Sequence, residues 1–168
     1  MTSQGRTLVA GLGNMFLGDD GFGSAVAQEL ARRELPDHVD VVDVGIRGVH
    51  LAYQLLDGYD LLVLVDITRR GEDPGTITVL ETSLDGVVGA DDAPPVDPHA
   101  MGPDAVLQTI ARLAGPLGAT VERVLVVGCE PDQLGEGIGL SPPVAAAIPT
   151  AVDVVRDLVT NKESMCTS

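Results

Sequence analysis

Apolar residues in this chain fall into short runs that are separated by polar turns. Four runs rich in Val and Leu predict the strands of one sheet. They are Arg6–Leu12, Val39–Val44, Leu61–Asp66 and Val124–Val127. The third run is apolar at every position from Leu61 to Val65, which is typical of a central parallel strand that is buried on both faces.

Apolar residues at helical spacing follow several of these runs. Phe22, Val26 and Leu30 lie at i, i+4 and i+8 and predict a first helix. We expect this helix to span about Asp19–Glu34, because a proline follows shortly afterwards. Further helices are predicted around residues 49–56, over about 103–113, and over Pro143–Thr160, where Ser141-Pro142 forms the cap and Pro149 introduces a kink.

The chain as a whole alternates strands and helices. A turn signal at Asp73-Pro74-Gly75 precedes the weakly alternating segment Thr76–Glu81, which predicts an antiparallel strand. Ser83–Pro98 is rich in Gly, Asp, Ala and Pro and predicts a surface loop. These elements predict a single α/β domain over residues 1–168, a three-layer sandwich whose mostly parallel central sheet of about five strands is flanked by helices.

The segment between the first strand and the first helix, Gly11–Gly23, is rich in glycine. Its glycines permit a tight turn and a close backbone approach. Such a turn usually presents helix N–H groups to a phosphate. Here two adjacent carboxylates, Asp19 and Asp20, would repel a phosphate and attract a cation. The segment therefore predicts a metal site or acid–base chemistry, although helix capping would account for one of the two aspartates.

A dinucleotide-binding domain is a second interpretation of the same turn. The Gly-x-Gly-x-x-Gly pattern needs glycine at position 16, where this chain has Phe16, and Gly18 comes two residues late. Asp43 follows an apolar pair and could serve as the acid that binds a ribose. Phe16 and the two aspartates of the turn disfavour this interpretation.

The composition of the chain limits its partners. The formal net charge is −15, so nucleic acid and anionic membrane surfaces are poor partners. Cys129 and Cys166 lie far apart without metal-binding spacing, and no segment reaches the length of a membrane span. We therefore expect a cytoplasmic protein without a disulfide framework, and we expect it to be a monomer.

Several polar residues follow the predicted strands at their carboxyl ends, where open α/β sheets bind ligands. Asp20 follows the first strand, Asp43 ends the second, and Asp66 ends the third. His99 closes the long loop that could fold over this edge. Two carboxylates and an imidazole suit a divalent metal ion or a general acid–base set. The structural alternatives are a turn cap for Asp66 and a surface position for His99.

With these residues in place, the chain resembles the hydrogenase maturation endopeptidases, which cut a C-terminal extension from the large subunit of nickel–iron hydrogenases. The resemblance covers nearly the whole chain in five blocks that follow one another in the family's order. The blocks are Gly11–Asn14 with Asp19–Gly23, Asp43–Gly48, Leu64–Asp66, Asp97–Gly102, and Val127–Pro131 with Gly139–Pro142. One departure is Ile46, where the family often has Thr.

The resemblance implies a metal-dependent endopeptidase with three site residues. The family binds metal through an acid in the first loop, an Asp after the third strand and a His in the later loop. These positions correspond to Asp20, Asp66 and His99, which we expect to be both catalytic and metal-binding. The residues expected to support them are Gly11, Gly13, Asn14, Asp19 and Asp43.

The resemblance also implies that the metal is nickel carried by the substrate, which is the precursor of a nickel–iron hydrogenase large subunit, and that no organic cofactor is used. Nickel could be a recognition element or also a Lewis acid, and the sequence leaves both roles open. Two carboxylates and one imidazole are a modest ligand set, so we expect little tightly held metal in the purified protein. A non-catalytic nickel-binding maturation chaperone is the remaining alternative, because the same ligands would serve it.

Overall fold

The computed structural model of this chain describes residues 5–45, 51, 53–82 and 121–160. Its strands are β1 (Thr7–Leu12), β2 (Val39–Gly45), β3 (Leu61–Ile67), β4 (Ile77–Thr82) and β5 (Arg123–Cys129). The α-helices whose full bounds lie within these ranges are α1 (Phe22–Leu30) and α2 (Pro142–Thr160), and Gly18–Gly21 and Leu55–Asp57 form short 3-10 helices. The strands form one sheet in the order β2-β1-β3-β5-β4.

Strands β1, β2, β3 and β5 run parallel, whereas β4 runs antiparallel. β1 pairs with β2 and β3, and β3 pairs with β5. β4 pairs with β5 at the edge of the sheet. Every residue of β3 is buried, as its uninterrupted apolar sequence predicts for a strand that is covered on both faces. The predicted α/β class, the mostly parallel five-stranded sheet and the antiparallel direction of β4 are confirmed.

The first face of the sheet is covered by both described helices. Phe22 and Val26 of α1 pack in one apolar cluster with Val152 and Val155 of α2 and with Val63 of the central strand. Each of these five side chains is at most 1% exposed. Burial of one such side chain contributes about 1.5–3 kcal/mol, so this cluster fixes both helices on the sheet.

The opposite face of the sheet is covered by the segment between β2 and β3. Leu51, Leu55 and Tyr59 pack there against Leu62 and Leu64 of β3. The side chains of β3 thus alternate between two separate apolar clusters, one on each face. This arrangement gives the three layers that the sequence predicts.

The first helix is shorter than its sequence predicts. Gly18–Gly21 form a 3-10 helix, and α1 begins only at Phe22 and ends at Leu30 rather than at Glu34. At the C-terminal end, the N–H groups of Arg32 and Arg33 donate to carbonyls three residues earlier, which is the tighter bonding of a terminal turn. Apolar spacing indicates only the buried face of the helix, and the last residue of that face is Leu30.

The remaining predicted elements have different outcomes. α2 begins one residue before the predicted start and continues through Pro149 to Thr160. The predicted loop 83–98 and the helix over 103–113 lie outside the described residues. Of the short helix predicted around 49–56, Leu51, Tyr53 and Gln54 are described and are helical. Across the described ranges, no helix is both long enough and apolar enough to cross a membrane.

Candidate active site

The carboxyl ends of β1 and β3 bring the first loop and Asp66 together. Asp66 is the sixth residue of β3, and Gly13 directly follows β1, the neighbouring strand. Gly13 has a φ of 126°. A Cβ atom at this position would collide with the backbone carbonyl of Asp20 and would lie 3.6 Å from Asp66 Oδ1. Glycine is therefore needed here both for the backbone conformation and for the close approach of the loop to two aspartates.

Asp20 is a partly buried carboxylate in the 3-10 helix. Its Oδ2 accepts a hydrogen bond from the Asn14 N–H at 2.8 Å. Asn14 Oδ1 in turn accepts from the Phe16 N–H at 2.9 Å, so Asn14 organises the loop that leads to Asp20. Burial raises the pKa of Asp20, and the Asn14 N–H opposes this effect in part.

Asp66 is an almost fully buried carboxyl group, only 1% exposed. Its Oδ1 accepts a hydrogen bond from the Ile67 N–H at 2.7 Å. Its Oδ2 is buried and has no hydrogen-bond partner among the described residues. Burial raises the pKa of Asp66 well above its usual range, the Ile67 N–H acts against this, and the negative charge of Asp20 raises it further. An unpaired buried polar atom costs about 1–3 kcal/mol, so the group is poorly explained as a structural residue.

Asp20 and Asp66 are close enough to influence each other electrostatically. Two carboxyl groups that share a site repel each other when both are ionised, and a cation or a proton relieves the repulsion. Within the described ranges, no group of three or more His, Cys, Asp or Glu side chains could hold a metal ion. The third ligand that the sequence predicts, His99, lies outside the described residues.

Asp19 is also fully buried, but all of its bonding capacity is used. Its Oδ2 accepts from the N–H groups of Asp132 and Gln133 at 2.9 and 2.7 Å and from Ser141 Oγ at 2.9 Å. Its Oδ1 accepts from the Ser141 N–H at 2.7 Å. Burial alone would raise the pKa of Asp19, but the hydrogen bonds outweigh burial and lower it. Asp19 therefore ties the first loop to the segment 132–141.

The other two predicted supporting residues shape the surroundings of this edge. Asp43 is exposed near the end of β2, and its carboxylate accepts from Ser24 Oγ at 2.7 Å and from Gln28 Nε2 at 3.2 Å. These bonds join β2 to α1. Gly11 is buried in β1, where a Cβ atom would collide with the backbone of Gly23. Both residues therefore set the spacing between the sheet and α1.

Neither first-loop aspartate is an N-cap residue, although both lie in the first turn of the 3-10 helix, where a negative charge is favourable. The residues at the N-cap positions of the 3-10 helix and of α1 are Leu17 and Gly21, and neither makes a side-chain capping bond. Ser141 does precede α2, and its carbonyl accepts the Ala145 N–H at 2.8 Å. Its hydroxyl bonds to Asp19 instead. The turn cap proposed for Asp66 is wrong, because its carboxyl group bonds to the next residue of its own strand.

The sequence model of the HycI hydrogenase maturation protease family matches residues 24–158 of this chain. The chain belongs to the hydrogenase maturation protease family. The match begins inside α1 and ends inside α2, so it includes β3 with Asp66 and the whole described sheet except β1. The prediction from the five sequence blocks is thereby confirmed.

Individual relatives agree with this assignment. The chain is 32% identical over 151 residues to the hydrogenase 2 maturation protease of Escherichia coli, with 89% of this chain and 88% of the relative covered. It is 33% identical over 150 residues to the hydrogenase expression/formation protein HupD of Rhizobium leguminosarum, with coverage of 88% and 71%. The structure superposes on the hydrogenase maturating endopeptidase HybD from Escherichia coli with a TM-score of 0.75 and 28% identity, covering 95% of this chain and 93% of the other.

Family membership makes the chain a peptidase and separates the three interpretations of the first loop. A dinucleotide-binding domain is excluded as its identity, and a purely binding chaperone is disfavoured. Sequence reasoning missed the bridging role of Asp19. Its hydrogen-bond partners are more than a hundred positions away in the chain. One indication was available, because the first loop has two adjacent aspartates and the predicted site uses only one of them.

Proposed function

We propose that this chain is an endopeptidase that removes the C-terminal extension from the precursor of a nickel–iron hydrogenase large subunit. The reaction class follows the family, which includes a solved endopeptidase with the same fold. The observation that carries the site is the buried Oδ2 of Asp66, which has no hydrogen-bond partner among the described residues and lies close to Asp20.

Nickel enters this proposal as part of the substrate. The donor set fits a divalent cation, because it offers two carboxylates that repel each other and an oxygen that is otherwise unpaired. His99 supplies the third protein ligand in this proposal, as the resemblance implies. A precursor that lacks nickel would leave the two aspartates in their unfavourable arrangement, so the site would discriminate loaded from empty precursor.

The side chains also suggest how the peptide bond is cut. Hydrolysis adds water across the bond, with the hydroxyl on the carbonyl carbon and the proton on the departing amine. Asp20 is the more accessible of the two acids and can take the proton from the attacking water. Asp20 can then give this proton to the departing amine, and Asp66, whose pKa is raised by burial, would serve as a ligand of the nickel ion. Nickel either fixes the position of the precursor or also polarises the scissile carbonyl.

The test is to incubate the purified protein with a large-subunit precursor that has been prepared with and without nickel. Mass spectrometry should show loss of the C-terminal peptide from the nickel-loaded precursor alone. Asp153→Asn, an exposed change on α2, serves as the control variant. Equal cleavage of both precursors would overturn the role of nickel. Binding of the loaded precursor without cleavage would favour the maturation chaperone and overturn the proposed reaction.

A further inference from the structure

Two loops at the active-site edge expose an unusual amount of apolar surface. Nine large apolar side chains among the described residues are exposed, and five of them lie in the segments 15–17 and 134–138. They are Met15 (48% exposed), Phe16 (59%), Leu17 (39%), Leu134 (37%) and Ile138 (82%). Isolated exposed apolar residues are common, but a concentration of them usually marks a surface that binds another molecule.

These two segments, which we call the paired loops, are joined to each other by backbone hydrogen bonds. The Gly137 N–H donates to the Phe16 carbonyl at 3.0 Å, and the Gly18 N–H donates to the Gly137 carbonyl at 2.9 Å. Leu17 and Gly137 form a parallel β-bridge. The exposed side chains are thus held on one ordered surface, and the buried carboxylate of Asp19 fastens its two halves together.

The paired loops are continuous with the candidate active site. The Asp20 N–H donates to the Leu17 carbonyl at 3.3 Å, and the Asn14 N–H donates to the Asp20 carboxylate. The exposed side chains of Phe16 and Leu17 thus lie within four residues of Asp20, on the loop whose bonds position this acid. The occupant that fits this position is the protein substrate itself.

The charges of the paired loops restrict that occupant further. Together with their flanking residues, the paired loops span 14–21 and 131–139. These two segments contain the exposed acids Asp132 and Glu136 and no Lys, Arg or His. The whole chain carries a formal net charge of −15. An apolar surface with an acidic rim fits a partner that presents apolar side chains flanked by Lys or Arg.

We infer that the paired loops are the docking surface for an apolar segment of the precursor that is flanked by basic residues, close to the bond that is cut. This inference rests on the proposed function, because it takes the precursor as the partner. Docking here would supply affinity and orient the precursor, while Asp20 and Asp66 act on its scissile bond.

The test uses a double variant and a matched control. Phe16→Ser with Ile138→Thr removes exposed apolar surface from the paired loops. Tyr53→Ser with Val79→Thr removes comparable surface elsewhere, since Tyr53 is 61% and Val79 41% exposed. All four positions are exposed, so we expect both variants to fold, and thermal unfolding checks this. The probe is the nickel-loaded large-subunit precursor from the organism that encodes this chain.

We expect the paired-loop variant to bind the precursor about tenfold more weakly and to show a higher KM, with kcat little changed. The control variant should match the wild type. Neutralising the rim by Asp132→Asn with Glu136→Gln should flatten the dependence of Kd on salt, whereas Asp153→Asn with Asp157→Asn on α2 should not.

Three outcomes would overturn the inference, and they are distinguishable. If the wild type cleaves the precursor and the paired-loop variant has the same Kd and KM, docking lies elsewhere and the proposed function stands. If the wild type neither binds nor cleaves the precursor, the proposed function fails and the docking inference fails with it. If sedimentation shows a wild-type dimer that the paired-loop variant loses, the surface belongs to a second copy of this chain.

Discussion

Asp19 and Asp66 are both buried carboxyl groups at the same edge of the sheet, yet their surroundings are opposite. Asp19 accepts four hydrogen bonds from three residues of a distant segment. Within the described part of the chain, Asp66 accepts one, from the residue that follows it. The pKa of Asp19 is lowered in spite of its burial, whereas burial raises the pKa of Asp66 well above its usual range.

This difference shows that burial alone does not identify a functional acid. A carboxylate whose oxygens are all engaged stabilises the fold and has no capacity left for a ligand. A carboxyl group that keeps an unpaired oxygen and a raised pKa costs stability and is available for a cation or a proton. The first loop thus contains Asp19, whose pKa is lowered, next to Asp20, whose pKa is raised and whose charge raises the pKa of Asp66.

The largest effect that we predict is the loss of activity in Asp66→Asn. Asparagine keeps the shape of the side chain but is a weak ligand and a poor acid or base, so precursor processing should fall by about 100-fold or more. Stability at neutral pH should stay the same or rise, because the change removes a charge that is unfavourable when buried. The precursor-cleavage assay and thermal unfolding measure the two effects. Normal cleavage would make Asp66 a structural residue and remove the contrast with Asp19.

Asp19→Asn should have the opposite profile, with a large effect on stability. The amide has one acceptor oxygen and presents an NH2 group to N–H donors, so several charge-assisted hydrogen bonds are lost. We expect a loss of about 3 kcal/mol in the free energy of unfolding. Urea unfolding measures this value, with Asp153→Asn as the control for a lost surface charge. A change below about 0.5 kcal/mol would show that the bonds to residues 132–141 contribute little.

Asp19 and Asp66 should make the free energy of unfolding depend on pH in opposite directions. Because the folded pKa of Asp19 is lowered, its contribution is present above the usual Asp value of about 4 and is lost as the pH falls through the folded pKa. Because the folded pKa of Asp66 is raised, the wild type loses stability relative to Asp66→Asn as the pH rises from about 4 through that pKa. Urea unfolding of the wild type and both variants from pH 3 to pH 8 tests the two slopes. Slopes of the same sign would refute the comparison.

The smallest predicted effect concerns Cys129, a buried thiol beside this edge. Burial raises its pKa to about 11, and the charges of Asp19 and Glu130 contribute. In a Cys166→Ser background, a thiol reagent at pH 8 should therefore label the native protein slowly, since about one molecule in a thousand carries the thiolate. Asp19→Asn should speed labelling several-fold. An unchanged rate would mean that neither the charge of Asp19 nor its bonds protect the thiol.

Most of the fold could be predicted because its signals are local. The uninterrupted run Leu61–Val65 predicted a central strand, and β3 lies between β1 and β5 with every residue buried. The alternating segment after Asp73-Pro74-Gly75 predicted the antiparallel β4. The first helix was predicted too long because its start depends on the 3-10 conformation of Gly18–Gly21, which apolar spacing does not encode.

The site could be predicted only in part, because its partners come from distant parts of the chain. The position of Asp66 at the end of an apolar strand, together with Asp20 after the glycine turn, was enough to place both acids at one edge. The structural role of Asp19, which joins the first loop to segment 132–141, was not predictable from local sequence, because its partners Gln133 and Ser141 are distant in the chain. The approach of His99 to the two acids stays a prediction, because His99 lies outside the described residues.

The position of β4 has a consequence for how the chain is made. Within the described ranges β4 pairs with β5, which follows it far along the chain, and not with β3, the strand that precedes it in sequence. During synthesis, Val79 and Leu80 therefore leave the ribosome before residues 123–129, which form their partner strand, have been made. At roughly 5–20 residues per second this interval lasts seconds, which is long compared with the closure of a local hairpin. The pairing of β4 with β5 is thus completed late in synthesis, after every other described strand of the sheet has been made.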